Sequence, residues 1–201
     1  VVLRIDKFFA GIVFAALTSG LAFGQAASTA SQALQLSAWG GITGSYVGIN
    51  SGRNLSISAG GDATIRGFRG FFPSLEVRGT YPIDKGSVAG EKSVLGGLKF
   101  ERHYGRVRPY TDVLFGRGEL DYVQPLPNQA GTFFYIQTTS NVLSPGGGLD
   151  FALTRGLALK GDAQLQRWAS PVTINGHFWA VPITVGAKYT FDFNHRYKRQ
   201  R

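Results

Sequence analysis

The segment 180–193 reads AVPITVGAKYTFDF, and its reading decides the fold. Val181, Ile183, Val185, Ala187, Tyr189, Phe191 and Phe193 take every second position. Ala180, Pro182, Thr184, Gly186, Lys188, Thr190 and Asp192 take the positions between. Side chains alternate across a strand, so this spacing gives one apolar face and one face of small, polar or charged groups. Segment 157–166 repeats the pattern, with Leu157, Leu159, Gly161, Ala163 and Leu165 opposing Ala158, Lys160, Asp162, Gln164 and Gln166. In 74–81, Leu75, Val77, Gly79 and Tyr81 oppose Ser74, Glu76, Arg78 and Thr80. Five weaker segments (34–43, 55–67, 94–103, 107–120 and 147–154) bring the tally to eight strands. Each is near the 9–11 residues that a tilted strand needs to cross a bilayer, and the number is even, as in single-chain bacterial barrels. No helical period is sustained after residue 32.

The connections carry separate information. Short ones fall at 68–73, 104–106 and 154–156, and long ones at 44–54, 82–92, about 119–143 and 167–177. Strict alternation puts the tight turns at one end and the long loops at the other, the asymmetry of membrane barrels. The sequence therefore predicts an all-β, eight-stranded antiparallel up-and-down transmembrane β-barrel over 25–193.

Residues 1–24, VVLRIDKFFAGIVFAALTSGLAFG, precede it. Arg4 and Lys7 form a basic start, Phe8 to Phe23 an apolar core, and Ala22 and Gly24 sit as at a signal-peptidase site. The run is shorter than the ~20 residues of a spanning helix, so it reads as a cleavable signal peptide. The mature chain is then exported, either soluble or inserted as strands. Composition agrees. Glycine supplies 28 of 201 residues and charged residues only 16%, against about 7% and about 25% in ordinary domains. Aromatics at 13% argue against disorder. The absence of cysteine excludes disulfides, thiolate metal sites and thiol chemistry.

Period two alone does not say which face points outward, because a soluble barrel would be apolar inside. Three features favour the membrane form. The polar faces collect both signs of charge: Asp62, Glu76, Glu101, Asp112, Asp150, Asp162 and Asp192 against Arg66, Arg78, Lys99, Arg108, Lys160 and Lys188. A narrow lumen needs that balance, since an unpaired buried ion costs several kcal/mol. Arg102, Arg117 and Arg167, which interrupt the apolar face, fall at the rims, where a cation costs about 0–1 kcal/mol instead of about 2–4 at the midplane. Aromatics gather at the same levels: Phe68, Phe71, Tyr104, Tyr189, Phe191 and Phe193 at the turn end, and Tyr46, Tyr81, Tyr122, Phe178 and Trp179 at the loop end.

The stretches PSLEVRGTYPID (73–84), SVLGGLKFERHYGRVRPYTDVLFGRGELDY (93–122), SPGGGLDFALT (144–154) and KYTFDF (188–193) carry a family likeness. The chain resembles small eight-stranded outer-membrane barrels of the OmpA/OmpX type, in particular the acidobacterial-type outer-membrane β-barrel family. The resemblance spans nearly the whole mature chain and implies an outer-membrane location, with loops outside and both termini periplasmic. It also implies contact with outer-membrane lipids and lipopolysaccharide, and recognition by the barrel-assembly machinery. Thr184, Gly186, Tyr189 and Phe191 resemble that machinery's recognition signal, although eight residues follow Phe193 where such signals usually stop. Those residues, 194–201, hold Arg196, Lys198, Arg199 and Arg201 and read as a basic, solvated periplasmic tail. Those four cations supply +4 of the net +9, the signal segment adds +1, and the barrel itself carries about +4. No basic stripe or stacking platform for nucleic acid accompanies it.

Candidate chemistry is sparse. Some outer-membrane barrels are lipid-modifying enzymes with His and Ser at the loop end, and Ser170 and His177 share one connection here. Glu119 and Asp121 offer a weak cation site, and Arg53, Lys85, Lys92, Arg117 and Arg167 form a basic outer rim able to meet lipopolysaccharide phosphates. The glycines of 144–148 leave room for bulky neighbours across the lumen. The leading expectation is a non-enzymatic monomer without cofactor or metal. Its lumen would be filled by paired charges, and it would act structurally or through its outer loops, with 119–143 projecting. A narrow ion or solute pore and a lipid-modifying enzyme are the alternatives.

Overall fold

The computed structural model describes residues 34–48, 52–65, 67–127 and 131–191. The segments read as signal peptide (1–24) and basic tail (194–201) lie outside them, as do Arg66, Asp192 and Phe193. Among the described residues nine strands follow one another: β1 (Leu34–Val47), β2 (Gly52–Ile65), β3 (Phe71–Asp84), β4 (Ala89–Arg102), β5 (Val107–Pro127), β6 (Phe134–Ala152), β7 (Leu157–Gln164), β8 (Gln166–Ala169) and β9 (His177–Thr190). Neighbours in the sheet pair antiparallel, and β9 returns to β1 from Ser37↔Thr190 to Val47↔Ala180, which closes the sheet.

The nine strands make eight staves, because β7 and β8 continue one another in a single register across Leu165. The interruption has a local cause. Leu165 donates its N–H to the Pro145 carbonyl at 2.8 Å, but proline has no N–H to return to the Leu165 carbonyl. Half of that rung is missing.

At one end the hairpins are tight. Phe68 and Phe71 exchange backbone hydrogen bonds of 2.8 and 3.0 Å around Arg69 and Gly70, both at positive φ (53° and 84°). That is a type I′ turn, whose twist matches the flanking strands. Tyr104 and Val107 close a second turn around Gly105 (φ 62°) and Arg106.

The other end departs from expectation. The connections predicted at 44–54, 82–92, 119–143 and 167–177 shrink to 48–51, 85–88, 128–133 and 170–176, because the strands run on. In the lower barrel apolar residues face out and polar ones face in. On the upper part of β5, Leu120 and Tyr122 turn inward and are buried while Glu119 and Asp121 lie on the outer side. The period of two persists with inverted polarity, and the inversion masks the strand in the sequence.

The outer surface rules out the soluble alternative. Leu75, Val77, Val113, Phe115, Ile183 and Val185 are each at least 55% exposed, while Lys99, Lys160, Glu76 and Asp150 are at most 1% exposed inside. Ions within and hydrocarbon without is the distribution a bilayer demands.

Candidate functional site

Among the described residues, ionisable groups gather in the interior, and their arrangement is layered. Next to the tight turns, Lys188 Nζ lies 2.8 Å from Asp150, 3.1 Å from Asp62 and 3.2 Å from Glu101. Lys99 Nζ joins them, 3.2 Å from Asp62, 3.7 Å from Asp150, 3.8 Å from Glu101 and 4.0 Å from Glu76. His103, stacked on Phe72 at 4.1 Å, places Nε2 2.6 Å from Glu101.

Further along the axis, Arg78 grips Asp162 as a fork, with its two terminal nitrogens 2.6 and 3.0 Å from the two carboxylate oxygens. Its Nε donates to Glu76 at 3.1 Å, and Asp112 stands 3.5 Å away. This bidentate geometry is one lysine cannot reproduce. Tyr110 donates to Asp162 at 2.8 Å and accepts from Lys160 at 2.5 Å. Arg78 and Lys160 also lie over the Trp39 ring, 5.0 and 4.8 Å from its centroid.

Ten of the thirteen charges predicted for the lumen therefore meet: Asp62, Glu76, Arg78, Lys99, Glu101, Asp112, Asp150, Lys160, Asp162 and Lys188. Arg108 does not join. It is half-buried and its Nε has no hydrogen-bond partner among the described residues. Arg66 and Asp192 lie outside the described residues.

The expectation of a lumen filled throughout by charge is corrected in the loop-end half. There Val47, Leu95, Leu114, Leu120, Val142, Trp168, Phe178 and Tyr122 pack into an apolar cluster, with Trp168, Leu114, Leu120 and Val142 completely buried. Trp168 stacks on Phe178 at 6.1 Å. Gly118 makes the room, since a Cβ there would collide with the Trp168 indole. Gly146 does the same beside Gln164, whose amide donates to Asp112 at 2.9 Å while its oxygen accepts from Ser144 at 2.9 Å. Tyr122 and Phe178, assigned from sequence to the outer aromatic girdle, belong to this plug, whereas Tyr46, Tyr81 and Trp179 are exposed outside.

Sequence reasoning also missed Glu91, buried at 3% exposure with a 2.6 Å bond from Ser45. Its place on the inward face of β4 was the available signal, obscured because 82–92 read as a loop. Beside it, hydroxyls run across four staves: Thr184 to Thr43 (2.7 Å), Thr43 to Ser58 (2.7 Å) and Ser58 to Thr80 (3.0 Å).

The remaining candidates resolve simply. Ser170 is buried, and its Oγ accepts from the Val172 N–H at 3.4 Å, while His177 Nδ1 lies 2.8 Å from the Asn175 carbonyl. The two side chains take separate local partners. Asp121 and Glu119 are held by Lys85 (2.6 Å) and Lys92 (3.2 Å) rather than gathered round a cation, and no cluster of three or more metal-ligating side chains occurs among the described residues. In the last strand Thr184 and Gly186 sit in the seam with β1, and Tyr189 and Phe191 meet edge to face at 5.2 Å on the outer surface.

The fold has known counterparts. The chain is similar to the crystal structure of Neisserial surface protein A, with a TM-score of 0.55 and 13% identity, covering 79% of this chain and 97% of that one. It is also similar to Ail, the attachment invasion locus protein of Yersinia pestis, solved with the heparin analogue sucrose octasulfate. There the TM-score is 0.49 and the identity 15%, over 79% of this chain and 99% of that one. No protein-family model matches the chain, and no curated protein does. The fold is that of the small eight-stranded outer-membrane barrels.

Proposed function

We propose that this chain is a sealed outer-membrane barrel with a structural or surface-interaction role, exercised through the β5–β6 hairpin. The observation that carries the reading is the double closure of the lumen. A network of ion pairs fills the half near the tight turns, and the Trp168 plug fills the other. Eight staves leave an interior just wide enough for side chains, and in this reading the two layers together close it to solute.

The hairpin is the projecting element. On β5 the outward apolar band runs from Val107 to Phe115 and stops at Arg117. Nine residues at about 3.3 Å each, tilted by about 40°, give about 23 Å, close to the ~25 Å of an outer-membrane apolar band. Beyond Arg117, β5 continues to Pro127 and β6 begins at Phe134, with Phe133, Phe134 and Ile136 all at least 65% exposed. In this reading 1–24 is removed on export, the hairpin stands outside the cell, and Thr184, Gly186, Tyr189 and Phe191 present the closing strand to the assembly machinery.

The test is ion conductance of the refolded chain lacking residues 1–24 in a planar lipid bilayer. Insertion without steady current is expected. Discrete, reproducible current steps would overturn the sealed lumen and make the protein a narrow pore.

A further inference from the structure

Among the described residues, one inward carboxylate lacks a countercharge. Glu91 is the second inward residue of β4, after Ala89, and is 3% exposed. The six carboxylates of the ionic layer each lie within 4.0 Å of a lysine or arginine. Glu91 has no cation at that distance among the described residues, and Lys92, next in the chain, turns outward to Glu119. Nor has the ionic layer one to lend, because its six carboxylates already outnumber Arg78, Lys99, Lys160 and Lys188.

A second set of atoms points to the same place. Glu91 Oε1, Asn54 Oδ1 and Ser56 Oγ are buried without a hydrogen-bond partner among the described residues. Their residues are at most 7% exposed, and the register gathers them. Ser45 pairs with Asn54, and Thr43 with Ser56. Ser45 Oγ reaches across to Glu91 Oε2 at 2.6 Å, and the Asn54 amide donates to the Ala89 carbonyl at 3.1 Å. Thr43 bonds to Ser58, one inward position beyond its partner Ser56. The same diagonal from Ser45 leads to Ser56.

A buried carboxylate left unpaired is costly, so it takes up either a proton or a cation. A proton on Oε1 joins that oxygen to a single acceptor. A cation draws in all three unpartnered oxygens and the Ser45 hydroxyl oxygen besides. Every one of these ligands is a hard oxygen, which favours an s-block ion. The single negative charge matches a monovalent ion, since a divalent one would leave net charge buried. Depth allows access. Glu91 pairs with Leu120, three positions beyond Arg117, where the outer apolar band ends. The site therefore lies on the aqueous side of that boundary.

We propose that Glu91, Asn54, Ser45 and Ser56 form a site for a dehydrated alkali-metal cation, which ties β1, β2 and β4 together at the loop end.

The experiment follows thermal unfolding of the chain lacking residues 1–24 in non-ionic maltoside micelles at neutral pH, by tryptophan fluorescence and heat-modifiable mobility. NaCl, KCl or CaCl2 replaces choline chloride at constant ionic strength, choline being too large to enter. The wild-type midpoint should rise with Na+ or K+ and level off as the site fills. Glu91→Gln should remove the response, and in choline it should unfold no earlier than wild type, having lost an unpaired charge. Asn54→Ala and Ser56→Ala keep that charge and should raise the ion concentration needed by on the order of tenfold. Glu119→Gln, on the outer side, should leave the response intact. A wild-type midpoint equal in choline and alkali chloride overturns the proposal and leaves Glu91 protonated. A response that survives in Glu91→Gln overturns the site. If Glu91→Gln fails to fold, a response unmoved by Asn54→Ala and Ser56→Ala overturns it equally. Saturation by Ca2+ at a lower concentration than by either alkali ion overturns the monovalent assignment.

Discussion

Arg78 is the residue on which most of the interior ionic layer turns. It neutralises Asp162 through a fork and Glu76 through a second edge, at 2% exposure. Arg78→Leu would leave both carboxylates buried without their main partner, and breaking a buried pair from one side costs about 3–5 kcal/mol. Urea unfolding in detergent micelles, followed by tryptophan fluorescence, should show a loss of that size. Arg78→Lys should recover only part of it, because one ammonium cannot hold Asp162 bidentately and reach Glu76. A midpoint unchanged from wild type would mean that water replaces the guanidinium freely. The inward charges were legible in the sequence because an ion on the polar face of a strand has one destination. The plug was not. Trp168 and Phe178 are ordinary members of their strands until a partner such as Gly118, fifty residues away in the chain, gives them room. Nothing local to either strand encodes that match.

At the scale of elements, strand existence was legible and strand ends were not. The membrane-crossing part of β9 alternates without exception, whereas upper β5 and β6 exchange which face is apolar. A reading that looks for apolar residues on one continuous face therefore stops at about residue 119, although pairing continues through Asp121↔Gln137 to Pro127↔Phe134. Among the described residues Leu126 and Tyr135 of the hairpin pack on the plug, and Tyr122 Oη lies 3.0 Å from Thr138 at its base. Replacing 124–136 by a two-residue Asn-Gly turn should consequently leave the barrel folded. The expected loss is about 1–3 kcal/mol, that of uncovering one or two apolar side chains. Heat-modifiable mobility and the unfolding midpoint measure it. Failure to fold would show that the hairpin is part of the core rather than an appendage to it.

For the whole molecule, the arrangement that matters is depth. The same outer surface holds Arg102 at the turn end and Arg117 and Arg167 at the loop end, and between them the outward residues of β5, Val107 to Phe115, carry no charge. A soluble protein has no reason to keep cations at two levels of its outside and exclude them from the level between. A bilayer does, because a cation's cost rises from about 0–1 kcal/mol at the interface to about 2–4 at the midplane. Val113, 55% exposed and opposite Leu98, lies midway. Val113→Arg should therefore destabilise the vesicle-inserted protein by about 2–4 kcal/mol, whereas Phe115→Arg, one outward position below Arg117, should cost less because its side chain can reach the headgroups. Refolding both variants into vesicles and comparing their unfolding midpoints tests the gradient directly. In detergent micelles, which deform around a charge, the gap between the two should narrow. Equal costs in vesicles would mean that β5 does not cross the hydrocarbon at this level, and the depth assigned to Arg117 would fall with it.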